Sequence, residues 1–143
     1  MVDPERLHRV LRRVSGDLRT LRGYADGRPG EVLADPARLG HVKYVFITAI
    51  EGCIDAAQHV CASEGLGAPD TNGDAMRLLG EHGLVPRDLA QRLAAAVGFR
   101  NVLVHGYASV DDARVVAMLT QLGDLRALVQ HLTTLIAAAD DGA

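Results

Sequence analysis

The chain has 143 residues, of which 48% are hydrophobic and 23% charged; this is the composition of one soluble globular domain, residues 1–143. A formal net charge of −3 argues against a broad basic surface for nucleic acid, although it is compatible with a local basic cleft. The chain has only three Tyr and two Phe, which argues against a sheet that stacks on bases. No apolar run reaches the roughly 20 residues of a membrane span, and no signal segment is visible at the N-terminus. The sequence therefore predicts a cytoplasmic protein without membrane contact.

The first two helices begin with the same signal. Asp-Pro occurs at positions 3–4 and 35–36, and this pair suits a helix start because Asp caps the end and Pro fits the first turn. Apolar residues at three- and four-residue steps predict a first helix that ends at Gly23 and a second that runs through Cys61. The Gly- and Pro-rich residues 26–34 are expected to form a loop.

A short helix and a third long one follow. The short helix is predicted over 74–82, with Thr71 or Asn72 as its cap. The next helix is predicted to begin with Pro86 in its first turn and to continue to His105, since apolar residues keep the helical period. Gly106 is a suitable stop.

The last helix is predicted to follow Ser109 and Asp112, which have the spacing of a capping box. Its apolar residues keep the helical period to about residue 136. Five helices joined by short loops, with no strand pattern, indicate an all-α up-and-down bundle of four long helices and one short helix.

The end of the fourth predicted helix, GFRNVLVHGY (98–107), carries the residue types suited to chemistry. Asn101 and His105 are neighbours at i,i+4, whereas Arg100 lies about 140° around the helix from His105. Tyr107 follows the stop glycine. By spacing alone, these residues also fit an ordinary helix end, where cations favour the helix dipole and His105 caps carbonyls.

The string RNVLVHGY matches the R-x4-H-x-Y motif of HEPN domains and resembles in particular the HepT-like toxins of HEPN/minimal nucleotidyltransferase toxin–antitoxin pairs. The likeness extends to AIEGCIDAAQHV in the second helix, to GLVPRDLAQRLAAAVGFRN and to the closing amphipathic helix, so that it covers about residues 3–137. It implies an HEPN-like bundle and a metal-independent endoribonuclease toxin of a type VII-like pair, without a cofactor. Arg100 and His105 are then the catalytic residues.

The same resemblance implies two protein partners. One is a second copy of the chain, because the family site is shared across a symmetric dimer. The other is the cognate nucleotidyltransferase antitoxin, which transfers AMP to the motif tyrosine, here Tyr107. The chemistry is consistent with a dimer: cleavage by the 2′-hydroxyl of RNA needs an acid and a base, whereas each chain has one motif histidine. An arginine fork suits the charge on the phosphate oxygens.

A polar stripe in the second helix is a further candidate. Glu51, Asp55 and His59 follow one another at i,i+4 steps beside the apolar face. Asp55, together with Asn101, is predicted to support the catalytic pair, whereas a solvated face is favoured for Glu51 and His59. No metal site is predicted, since the paired Glu-x-x-His motifs of di-iron bundles are missing.

Two other functions stay open at this stage. The chain could be a non-catalytic HEPN module, serving as a nucleotide-binding or partner domain of a nucleotidyltransferase. A generic helical scaffold is the third reading. The net acidity and the few aromatic residues favour a binding module, whereas the intact Arg100 and His105 pair favours the nuclease, because a binding module needs no titrating histidine there.

Overall fold

Helices make up nearly all of the computed structural model, which describes residues 2–106 and 109–141. The described helices are α1 (Pro4–Ala25), α2 (Pro29–Ala34), α3 (Pro36–Ser63), α4 (Asn72–Glu81), α5 (Arg87–His105), α6 (Asp112–Met118) and α7 (Gly123–Asp141). A 3₁₀ turn over Leu119–Gln121 joins the last two. No strand occurs in these residues, and α1, α3, α5 and α7 are the four long helices. The all-α prediction is confirmed.

Three of the predicted helix starts are also confirmed. An Asp3 carboxylate oxygen accepts a hydrogen bond from the Arg6 amide at 3.3 Å, and Asp35 accepts one from the Ala37 amide at 3.0 Å. Thr71, one of two predicted caps, accepts from the backbone at the start of α4. These short polar side chains satisfy amides that have no partner inside their helix.

Two expectations about local structure were wrong. The predicted loop over 26–34 contains α2, a helix of six residues. Val32 is the one buried residue of this helix, and a single buried position gives no periodic pattern of apolar residues from which a helix could be predicted. The predicted last helix is divided into α6 and α7 by the 3₁₀ turn, and both pieces bury apolar residues, among them Val115 and Leu128.

The caps at two helix starts also differ from the prediction. Asp111, and not Ser109, caps α6, by accepting a hydrogen bond from the Ala113 amide at 3.0 Å. The Ser109 hydroxyl instead donates to the Gly106 carbonyl. Pro86 lies one residue before α5, as its N-cap residue, and not within the first turn.

The core is arranged around α3, which packs against the other long helices and α4. Phe46 of α3 and Phe99 of α5 are both buried and meet edge to face, with 5.4 Å between ring centroids; this geometry is favourable for two rings. By length and composition alone α3 would pass for a membrane span, but 61% of its most apolar window is buried inside the protein. This contact between α3 and α5 brings the last turns of α5, which begin at Phe99, against α3.

Candidate active site at the end of α5

Arg100, Asn101 and His105 lie in the last two turns of α5. The helix is regular through His105 and ends there, as the Gly106 amide donates to the Val102 carbonyl at 2.8 Å. Arg100 and His105 are therefore separated by about 7.5 Å along the helix axis and by about 140° around it. Among the described residues no hydrogen bond joins the two side chains.

Arg100 is held between α5 and α3. Its Nη2 donates to Oε1 of Glu51 at 2.8 Å, and its Nη1 donates to Oδ1 of Asn101 at 2.9 Å. The side chain is only 21% exposed, and Nε is buried without a hydrogen-bond partner among the described residues. Because a guanidinium has five N–H groups, two on the Nη atoms stay available to a ligand.

His105 is exposed. Its imidazole has no hydrogen bond or ion pair with any residue that the structure describes, so it does not cap the carbonyls of α5 as the alternative interpretation expected. An imidazole in this position is open to exchange protons with a substrate or with water.

The polar stripe of α3 is divided among three partners. Glu51 holds Arg100. Asp55, predicted to support the catalytic pair, instead lies 3.8 Å from the guanidinium of Arg13 on α1, with both side chains mostly exposed, and forms no hydrogen bond or ion pair with the described Arg100 or His105. His59 accepts a hydrogen bond from the Asp3 amide at 3.1 Å. Sequence reasoning therefore gave too little weight to Glu51; the signal available was its place on the same stripe, one turn before Asp55.

The turn after α5 is flanked by a second ion pair that the sequence did not predict. Lys43 of α3 is only 7% exposed, and its Nζ lies 2.9 Å from Oδ1 of Asp112 at the start of α6. This contact joins the start of α6 to α3. Tyr107, the predicted modification site, lies outside the described residues.

Neither cysteine is placed for nucleophilic chemistry. Cys53 is fully buried, and burial, with a smaller contribution from the charge of Asp17, raises the pKa of its thiol to about 12. Burial also raises the pKa of Cys61. Since the thiolate is the reactive form, both side chains act as core residues. In the described part of the chain no group of three or more His, Cys, Asp or Glu side chains could hold a metal ion.

The comparison that decides the family is a match to the family model described as Ribonuclease HepT-like, over residues 14–132. The matched range is most of the chain and includes the whole Arg-Asn-x3-His segment of α5. The chain belongs to the HepT-like ribonuclease family. Family membership agrees with the resemblance found in the sequence.

One curated relative of this HepT-like chain is the mRNA nuclease HepT of Shewanella oneidensis, which is 36% identical over 61 residues. The alignment covers 43% of this chain and 46% of the relative, so it spans less than half of either protein.

Solved structures show that the fold is shared over nearly the full chain. A toxin–antitoxin crystal structure with AMP-PNP has a TM-score of 0.83, at 22% identity, and covers 90% of this chain and 97% of the other. The tri-AMPylated HEPN toxin of S. oneidensis in complex with MNT antitoxin also has a TM-score of 0.83, at 23% identity, covering 94% and 99%. The HEPN-like bundle predicted from the sequence is confirmed.

Proposed function

We propose that this HepT-like chain is a metal-independent endoribonuclease and the toxin of a type VII-like toxin–antitoxin pair. The observation that carries the proposal is the contrast between two side chains of α5: Arg100 is fixed by Glu51 and Asn101, whereas His105 is exposed and unbonded within the described residues. A fixed cation and a free imidazole suit phosphate binding and proton transfer, respectively. The name of the S. oneidensis relative, an mRNA nuclease, supports this assignment.

The proposed reaction is an internal transesterification of RNA. A neutral imidazole takes the proton of the 2′-hydroxyl, and the 2′-oxygen forms a bond to phosphorus. The bond from phosphorus to the 5′-oxygen breaks, and an imidazolium gives this leaving oxygen its proton. The products are a 2′,3′-cyclic phosphate and a 5′-hydroxyl. The two remaining Nη hydrogens of Arg100 would bind the phosphate oxygens while negative charge develops on them.

A second subunit would complete the site. One exposed face of α5 carries His105 together with three small or apolar residues, Ala95, Gly98 and Val102. Val102 is 40% exposed, and the lack of large side chains at the neighbouring positions would allow the same helix of a second copy to approach closely. A two-fold axis along this face would bring two His105 imidazoles together, so that one acts as base and the other as acid.

Tyr107 provides the proposed switch. We assign it as the acceptor of AMP from a cognate nucleotidyltransferase: the phenolic oxygen bonds to the α-phosphorus of ATP, and pyrophosphate leaves. The added phosphate would offset the charge of Arg100, seven residues earlier in the chain, and occupy the space of the substrate phosphate. An AMPylated HEPN toxin bound to MNT antitoxin, which has the same fold, supports this proposal.

The non-catalytic module remains the alternative, and RNA cleavage separates the two. Purified protein is expected to cleave single-stranded RNA in excess EDTA and to leave 2′,3′-cyclic phosphate ends. His105→Ala should lose at least about 100-fold in rate, the usual contribution of a general acid–base group, with an unchanged melting temperature because the imidazole has no partner in the described fold. A nuclease that requires a metal, or a fully active His105→Ala, would refute the proposed mechanism.

Modification of Tyr107 is tested by the intact mass of protein that is co-expressed with its antitoxin. We expect a gain of one or more AMP units and loss of RNA cleavage. Tyr107→Phe should gain no mass and should stay active in the presence of the antitoxin. An unmodified chain that the antitoxin nevertheless inhibits would indicate neutralisation by binding alone.

A further inference from the structure

Positive charge is concentrated on α1. This helix carries six of the 15 Lys and Arg residues of the chain but only two of its 18 acidic residues. One helix, α1, is therefore strongly basic in a chain with a net charge of −3, because most of the acidic residues lie outside it. This concentration has no role in the proposed chemistry of α5.

Part of this charge lines a groove between α1 and α7. The groove has a volume of about 470 Å³. Its floor is apolar, from Leu18 and Val129, and its walls are polar, from Ser15, Arg19, Arg22, Arg126 and Gln130. Three guanidinium groups thus surround one concave surface that has no acidic lining residue.

None of these arginines is neutralised within the described fold. The side chains of Arg19, Arg22 and Arg126 form no ion pair or hydrogen bond with the residues that the structure describes. The nearest acid on α1, Asp17, accepts a hydrogen bond from the Thr48 hydroxyl on α3 at 2.8 Å and therefore faces the opposite side. On α7 no acidic residue occurs between Leu125 and Ala139.

The groove continues into a longer basic stripe. Arg12, Ser15, Arg19 and Arg22 follow at steps of three and four residues, so they share one face of α1 over about 15 Å. Like charges at this spacing repel one another, and an anion placed between them would relieve the repulsion. Planar arginine forks are suited to phosphate oxygens.

We propose that the α1–α7 groove binds the phosphate backbone of the RNA substrate, as a site separate from the one on α5. An RNA backbone fits the observations better than a protein partner, because no aromatic residue and no exposed large apolar side chain lines the groove, whereas protein interfaces are anchored by such side chains. The exposed large hydrophobic side chains in the described chain lie elsewhere, at Leu33, Tyr44, Val102 and Val104. Contacts to phosphate explain why the groove has a row of arginines and no exposed aromatic residue. Such contacts carry no preference for a base.

This inference rests on the proposed function only in its choice of RNA as the anion. The groove would hold the strand that flanks the cleaved bond, so it should determine affinity and leave the chemical step unchanged. A local basic surface of this kind would also allow a chain of net negative charge to bind polyanionic RNA.

The test measures RNA binding apart from cleavage. In the His105→Ala background, a fluorescein-labelled 20-nucleotide poly(U) strand is titrated by anisotropy between 50 and 200 mM salt. Replacing Arg19, Arg22 and Arg126 together by Gln should weaken binding at least about tenfold at low salt and reduce the salt slope by about 2, the value expected from three lost phosphate contacts to a single strand. The triple Lys variant, which keeps the charge, should retain most of the affinity.

A matched control removes the same charge elsewhere: Arg28, Arg77 and Arg87, all exposed and outside the groove, are replaced by Gln. If both Gln triples weaken binding equally, net charge explains the effect and the groove site is refuted. The groove site is also refuted if the variant with Gln at Arg19, Arg22 and Arg126 binds RNA normally but no longer binds the antitoxin. Failure of the nuclease proposal would be seen separately, as an absence of cleavage by wild-type protein that still binds RNA through the groove.

Discussion

Arg100 illustrates how a half-buried cation can stay available to a ligand. Glu51 and Asn101 fix its two terminal nitrogens, while burial of Nε limits the ways in which the side chain can rotate. A preorganised donor of this kind costs little reorganisation when charge develops on a substrate. In the proposed reaction Glu51 would therefore be a positioning residue, and its carboxylate would also moderate the charge that a phosphate meets.

We therefore expect Glu51→Ala to lower the kcat for RNA cleavage about tenfold, equivalent to about 1.4 kcal/mol of transition-state stabilisation, with little change in KM. Glu51→Gln keeps an acceptor for Arg100 and should recover most of this loss. The control is Asp55→Ala, one turn further along α3, which removes an exposed contact to Arg13 and should leave kcat within about twofold. Equal losses in the two alanine variants would show that the acidic stripe acts only through its charge.

Among the helices, two glycines set how closely neighbours approach. A Cβ built on Gly52 of α3 would lie 2.5 Å from Cγ2 of Val14 on α1, and one on Gly80 of α4 would lie 2.6 Å from Cβ of Ala90 on α5. Both distances are far below van der Waals contact, so these helices pack with backbone against side chain. The site depends on this packing, since α3 positions Glu51 and α4 supports α5.

Gly52→Ala is expected to destabilise the fold by about 1–3 kcal/mol, the usual cost of overpacking a core, although alanine is the better helix former. The matched control is Gly23→Ala, also within a helix, where a Cβ would meet nothing within 4 Å; this variant should be neutral or more stable by up to about 1 kcal/mol. Urea unfolding monitored by circular dichroism measures both. A stabilising Gly52→Ala would show that α1 and α3 adjust their spacing freely.

For the molecule as a whole, the proposed dimer depends on one exposed face of α5. The face of α5 that carries His105 is exposed and includes Val102, which is 40% exposed. An apolar side chain beside an exposed imidazole fits an interface that also forms part of a reaction site. The α1–α7 groove lies on other helices and would stay open in such a dimer.

Val102→Asp should convert the dimer into a monomer and abolish RNA cleavage, because a carboxylate on a two-fold interface meets its own copy and repels it. Light scattering coupled to size-exclusion chromatography should give twice the 15.2 kDa chain mass for wild type and the single mass for the variant. Leu33→Asp, at another exposed apolar position on α2, should stay dimeric and active. A monomeric wild-type protein that cleaves RNA would refute the shared site.

The sequence by itself determined the all-α bundle, the Asp-Pro helix starts and the place of the motif at the end of a helix. These features depend on local signals: the period of apolar residues, caps and stop glycines. The sequence also indicated the family, because the motif residues are close together in the chain. Helix α2 and the break before α7 escaped prediction, since short helices are stabilised mainly by packing.

Only the tertiary structure decided which charges meet. Glu51 and Arg100 are 49 positions apart, and Lys43 and Asp112 are 69 apart; no spacing rule connects them, because their contacts depend on how α3 packs against its neighbours. The same holds for the basic groove, whose arginines come from α1 and α7. Local periodicity determines which face a side chain occupies, whereas helix packing determines what that face meets.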